Sequence, residues 1–276
     1  KKIKPMRSHQ YALGGYYTGI NGWEFSVEGY YKDMRNVLEY KDGVSFFGSS
    51  SGWENKVEMG KGRSAGIEFM AQKTAGKTTG WLSYTLSKSD RKFTKGGINN
   101  GEWFPYKYDR RHSINLTINH KFSDRIDIGA SWVFYTGGTS TIPEEKTTVI
   151  RPHNGANNGF LWYGTYDNTN SSPTIGDVSY IEHRNNFRLP ASHRLNLGVN
   201  FNKKTKHGMR TWNISLYNAY NAMNPAWVYR GHNKQGLSVI KKYTLLPLIP
   251  SFTYTYKILN MKTTFFTYLY CSLQSQ

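Results

Sequence analysis

Eight histidines and one cysteine are the side chains of this 276-residue sequence with the widest chemical range. Imidazole nitrogens are common transition-metal ligands, but a site needs several donors at a spacing that lets them converge. No His-x3-His or Glu-x-x-His pair occurs, and no helix is predicted to carry one. The lone Cys271 excludes an internal disulfide framework and a cysteine-based zinc site. His112 and His193 each stand beside an arginine at the predicted outer end of a strand, which points to hydrogen bonding rather than ligation. Ser192, His193 and Asp109 could nominally supply a nucleophilic relay. A nucleophile needs its base within hydrogen-bond reach and a third group to orient it, and residue order alone establishes neither. No catalytic, cofactor-binding or metal-binding residue is therefore assigned. Aromatic side chains in loops have a different use, because their faces bury much area while Tyr and Trp keep a polar handle. Trp162, Tyr163 and Tyr166, in or beside the patch Phe160-Leu161-Trp162-Tyr163, are the candidates for stacking on a ring-bearing ligand. Trp103 and Trp227 are expected to pack loops or to anchor at lipid headgroups.

The elements that must position these loops are strands. Phe252, Tyr254, Tyr256 and Ile258 alternate with Ser251, Thr253, Thr255 and Lys257, so a strand here has one apolar face and one polar face. The pattern recurs upstream. Strands are predicted over 10–19, 23–32, 63–73, 79–88, 111–122, 125–135, 192–202 and 210–220, with a ninth closing at Ile258. Asn21-Gly22 marks the first turn, as the strongest short hairpin signal. Ala75-Gly76-Lys77, Ser123-Asp124 and Lys203–Met209 mark others. Between these hairpins lie long Gly-, Asn- and Ser-rich stretches, the longest over 137–187.

Nine strands of roughly ten residues match the length a tilted membrane strand needs, and their connections alternate short and long. That is the pattern of a transmembrane β-barrel with short periplasmic turns and long extracellular loops. The fold class expected is all-β, an antiparallel barrel segment. Composition agrees: 16% of residues are aromatic and 21 are Tyr, against a hydrophobic share of 38%. Barrels place Tyr and Trp in girdles at both interfaces and keep a polar lumen. No run approaches the 18 or so apolar residues of a transmembrane helix.

The net charge of +18 invites a nucleic-acid reading. The basic residues are dispersed, however, and many sit at strand ends, as in Lys203-Lys204 and Lys241-Lys242. A positive rim facing anionic headgroups uses them as naturally, and no nucleic-acid partner is expected. A porin-like or autotransporter-like barrel remains an alternative, as does a soluble basic β-protein that binds nucleic acid or polysaccharide.

A set of motifs narrows the choice. Tyr-Lys-Asp-Met at 31–34, Gly-Lys-Gly-Arg-Ser-Ala-Gly-Ile-Glu at 60–68 and Thr-Gly-Trp-Leu-Ser-Tyr-Thr-Leu-Ser at 79–87 occur in order. Phe-Pro-Tyr-Lys-Tyr-Asp-Arg-Arg-His at 104–112, His-Arg-Leu-Asn at 193–196 and Asn-Ala-Tyr-Asn-Ala-Met-Asn-Pro at 218–225 follow. Together they resemble the C-terminal part of the barrel domain of TonB-dependent receptors. The resemblance implies an outer-membrane barrel of about 22 strands plugged by an N-terminal domain. It also implies energised uptake of a metal chelate, cobalamin or oligosaccharide, through a TonB box that engages the inner-membrane energy complex. Neither plug nor box lies in these residues. The implied partners are outer-membrane lipid and lipopolysaccharide, the TonB complex, an unidentified small-molecule or oligosaccharide ligand, and the barrel-assembly machinery. The last would read Phe252, Tyr254, Tyr256 and Ile258, although family members usually end in an aromatic.

Residues 1–258 are thus expected to form the barrel portion and 259–276 an unstructured tail. Met261-Lys262-Thr263-Thr264-Phe265-Phe266 looks like the opening of another reading frame, so the tail is expected to stem from a lost stop codon or a frameshift. The sequence as a whole is expected to be a fragment of a longer receptor.

Overall fold

The computed structural model describes residues 3–41, 52–142, 145–151 and 174–258. Nine strands form one antiparallel wall. These are β1 Arg7–Tyr17, β2 Trp23–Tyr40, β3 Val57–Lys73, β4 Thr78–Lys92 and β5 His112–Lys121. After them come β6 Ile126–Tyr135, β7 Ser192–Thr205, β8 Gly208–Tyr217 and β9 Ile249–Ile258. Each pairs with its neighbour in sequence, so the path runs from β1 to β9 without a crossover. The two-residue strand Phe104–Pro105 pairs with the outer end of β4.

The wall has two chemically distinct faces, and the register shows how each is built. Tyr17, Phe25, Ala71, Leu82, Leu116, Trp132 and Leu195 are successive partners across seven strands. Val199, Ile214 and Phe252 continue that face to β9. One residue along, Gln72, Trp81, Thr117, Ser131 and Asn196 partner one another on the opposite face. Near the short turns this second face is a hydrogen-bonded ladder. Asp127 accepts from Asn200 at 2.7 Å and Asn202 at 2.6 Å, and Asn200 and Asn202 accept from Asn213 and Thr211, each at 2.7 Å.

Only four hydrophobic side chains are buried among the described residues, whereas the apolar face lies open, with Leu13 85% and Phe252 57% exposed. A soluble monomer rarely leaves more than a few hundred Å² of contiguous apolar surface uncovered. Lipid covers such a face at no cost, and the polar face then lines the lumen.

Short turns at 18–22, 74–77, 122–125 and 206–207 occupy one end of the wall, and long connections occupy the other. At the first turn Gly22 has φ +74° and accepts from the Thr74 N–H at 2.9 Å, which ties it to the neighbouring turn. β1 and β9 each have one neighbour, so the wall is an open segment. Its outer amides need further strands, since an unpaired backbone group in hydrocarbon costs several kcal/mol.

The predicted strands fall at their observed places, but three reach further at their outer ends than expected. β2 runs to Tyr40 rather than Lys32, β3 begins at Val57 rather than Arg63, and β4 ends at Lys92 rather than Lys88. Beyond the lipid band both faces of a strand are wet, so the alternation fades while the backbone ladder continues. The long loops also contain sheet. Glu145–Arg151 pairs with Thr174–Tyr180, Thr139–Ser140 with Phe187–Arg188, and Pro225–His232 with Ser238–Thr244. Residues 259–276, including Cys271, lie outside the described residues.

Candidate functional site at the barrel mouth

The site is built where β2, β3 and β4 rise beyond the apolar band. Asn36 is an extra residue between Arg35 and Val37, with no partner on β3 and a φ of +58°. Its side chain donates to the Pro5 carbonyl at 3.0 Å. A bulge of this kind re-aims the residues that follow it. Here it shifts Val37 from the lipid-side parity to that of Gly60 and Gly62, the luminal face.

Val37 then joins Phe93, Ile98 and Phe104 in a small core, with Met34 packed against it. The Phe93 and Phe104 rings lie 6.0 Å apart, nearly parallel. Gly60 makes room for this: a Cβ there would meet the Lys92 carbonyl oxygen at 2.4 Å and Phe93 at 2.6 Å. Loop 93–107 is thus folded inward over the mouth. Glu58 pins its first turn by accepting from the Thr94 N–H at 3.0 Å, the Ile98 N–H at 3.2 Å and the Thr94 hydroxyl. Partial burial pushes the Glu58 carboxyl up, but the bonds from Thr94 and Ile98, helped by nearby Lys41, outweigh it and hold the group below its ordinary range.

A network of charges ties the other loops to this one. The Asp109 carboxylate is fully buried. It accepts from the Ser89 N–H at 2.7 Å, Arg111 at 3.1 Å and Arg188 at 2.6 Å. Arg188 also donates to the Asp109 and Gly137 carbonyls, at 2.8 and 2.9 Å. Glu39 pairs with Arg91 at 3.5 Å and Arg184 at 3.4 Å. The Arg91 guanidinium lies over the Tyr106 ring at 3.8 Å. Arg184 donates to the Tyr40 carbonyl at 2.8 Å, and its N–H to Asn99 at 2.8 Å. Asn185 reaches the Pro105 carbonyl at 2.7 Å. Beside this network a cleft of about 350 Å³ opens between Ile142, Asn186 and Phe187 on one side and Arg230 and Ser238–Ile240 on the other.

The residues singled out from sequence divide clearly. Trp162, Tyr163 and Tyr166 lie outside the described residues. Trp103 lies beneath the Arg63 guanidinium at 4.3 Å, and Trp227 stacks on Tyr243 at 4.3 Å. Trp103 thus packs against β3, and Trp227 packs within its own loop hairpin. His112 and His193 form no relay with Asp109 and Ser192. Their Nδ1 atoms face the Tyr84 hydroxyl at 2.9 Å and the Tyr220 hydroxyl at 2.8 Å. Trp132 also donates to Tyr220, at 3.1 Å. These groups belong to the outer aromatic girdle.

Sequence reasoning missed Glu39, Arg91, Arg184 and Arg188, and saw Asp109 only as a nominal catalytic acid. The available signal was the density of charge and aromatic residues at 104–112. The paired groups are far apart in sequence, 79 residues for Asp109 with Arg188 and 145 for Glu39 with Arg184.

Residues 1–222 match the family model described as TonB dependent receptor-like, beta-barrel. No curated protein matches the chain. Among solved structures the chain is similar to the ferric-catecholate import receptor Fiu from K12 E. coli. Identity is 13% and the TM-score 0.51, over 94% of this chain and 28% of that one. It is also similar to the ferripyoverdine receptor of Pseudomonas aeruginosa, at 11% identity and a TM-score of 0.47, over 89% of this chain and 26% of that one. The chain thus spans between a quarter and a third of these receptors' length.

Proposed function

This chain belongs to the TonB-dependent receptor-like β-barrel family, and we propose that it forms part of the wall and mouth of an outer-membrane transporter for a scarce nutrient. The family is one of receptors, and this reading assigns the chain no catalysis of its own. The observation that carries the reading is the mouth itself. Strands extended beyond the lipid band hold inward-folded loops through the buried Asp109 network and the half-buried Glu39 network. Loops fastened in this way hold a binding surface in place before a ligand arrives, which lowers the ordering cost of binding.

Within the nutrient classes the resemblance implies, a metal chelate is the preferred cargo over cobalamin or an oligosaccharide. Ferric catecholate is the cargo named for one structural relative, and Arg230 in the cleft beside Asn186 supplies the positive charge an anionic chelate needs. Trp162, Tyr163 and Tyr166 are proposed to stack on the chelate's rings. A TonB complex is proposed to energise transport through a region beyond these residues, and the barrel-assembly machinery to read β9.

The test is ferric-catecholate binding and uptake by the full-length receptor and its Trp162→Ala variant. Saturable binding, TonB-dependent uptake, and weaker binding in the variant are expected. Growth on no chelate, with passive leakage of small solutes instead, would replace the receptor reading by a porin one.

A further inference from the structure

The turn end of the wall carries a feature that ligand uptake does not use. Lys203 on β7 and Arg210 on β8 are directly opposite one another, on the lipid-facing side that also bears Phe201, Trp212 and Tyr256. Like charges directly opposed on paired strands destabilise the pair. Among the described residues neither takes part in a salt bridge. In the neighbouring turn, by contrast, Lys121 is paired with Asp124 at 2.9 Å. The acid nearest along the register, Asp127, points to the other face and is taken up by Asn200 and Asn202.

The surroundings are those of a membrane interface. One pair further into the wall, Phe201 and Trp212 are opposed, and Trp212 packs on Tyr254 with ring centroids 4.5 Å apart. Tyr256 partners Arg210, and its hydroxyl lies 3.1 Å from that of Thr205. Cations with long apolar stems, placed just outside an aromatic girdle, reach the headgroup level with their charge. The short turns face the periplasm, so the lipids at this level are those of the inner leaflet of the outer membrane.

We propose that Lys203 and Arg210 form a headgroup site for an anionic phospholipid of that leaflet. The phosphate lies between the ammonium and the guanidinium, relieving their mutual repulsion through charge-assisted hydrogen bonds. The acyl chains run along Phe201, Trp212 and Ile214. A zwitterionic lipid fits less well, because its own ammonium opposes the two cations.

Native mass spectrometry of the full-length receptor, released from mixed micelles with equal phosphatidylglycerol and phosphatidylcholine, tests the site. Wild type is expected to retain phosphatidylglycerol preferentially. Lys203→Gln/Arg210→Gln is expected to lower that retention about thirty-fold, the equivalent of ~1 kcal/mol for each of two cations near a membrane surface. Lys203→Arg, which keeps the charge, is expected to restore it to wild type. The single Gln variants, each about five-fold weaker on the same scale, carry the test if the double variant does not assemble. Equal retention of the two lipids by wild type, or unchanged phosphatidylglycerol retention in folded, heat-modifiable variants, would overturn the proposal.

Discussion

Replacing Asp109 by Asn should release the loops at the mouth without unfolding the wall. The change keeps the side chain's shape and one acceptor but removes the charge. In the native site that charge, on a side chain with no exposure, faces Arg111 and Arg188, which are 35% and 32% exposed. Breaking a fully buried pair costs roughly 3–5 kcal/mol. Because both arginines keep partial access to water, which recovers some of their solvation, the lower end applies, about 3 kcal/mol. The amide's NH2 must also face a cation or the Ser89 N–H, which now bonds the carboxylate at 2.7 Å. The cost falls on the loops, because β5 to β8 are held by their own ladders. Hydrogen exchange reads this directly: amides in loops 93–111 and 136–142 that open locally should exchange on the order of a hundred-fold faster, at 1.4 kcal/mol per decade. Amides of β6 and β7 should not change. Loop exchange within a factor of three of wild type would refute the view that Asp109 fastens the mouth.

Three other outcomes follow from the same geometry. Glu58, beyond the lipid band, has a carboxyl lowered in the folded loop. Its contribution is therefore complete above the ordinary carboxyl value of about 4.3 and is lost as pH falls through the lower folded value. Protection of Thr94 and Ile98 should decline on acidification, and Glu58→Gln should abolish that dependence. Gly60→Ala places a methyl 2.4 Å from the Lys92 carbonyl oxygen, and overpacking of this kind costs roughly 1–3 kcal/mol. Limited proteolysis should then cut loop 93–107 sooner while the wall stays resistant. Ending the full-length protein at position 258 with an aromatic there, in place of Ile258 and the tail, should raise outer-membrane yield; equal yield would remove β9 from the assembly signal.

The sequence by itself determined the wall. Each membrane strand must be apolar toward lipid and polar toward the lumen, so its period-two pattern is written in consecutive residues and can be read locally. Asn21-Gly22 and Ser123-Asp124 likewise announce their own turns, because hairpin geometry depends on the residues in the turn. The outer extensions of β2, β3 and β4 were not legible, since a strand wet on both faces has no alternation to show. Nor was the mouth, where only the tertiary structure decided which groups meet. Val37 faces the lumen because Asn36 bulges out of register, and Asp109 is buried because Arg188, far along the chain, folds back onto it. Charge networks of this kind depend on distance in space, and one residue's sequence neighbours carry no record of it.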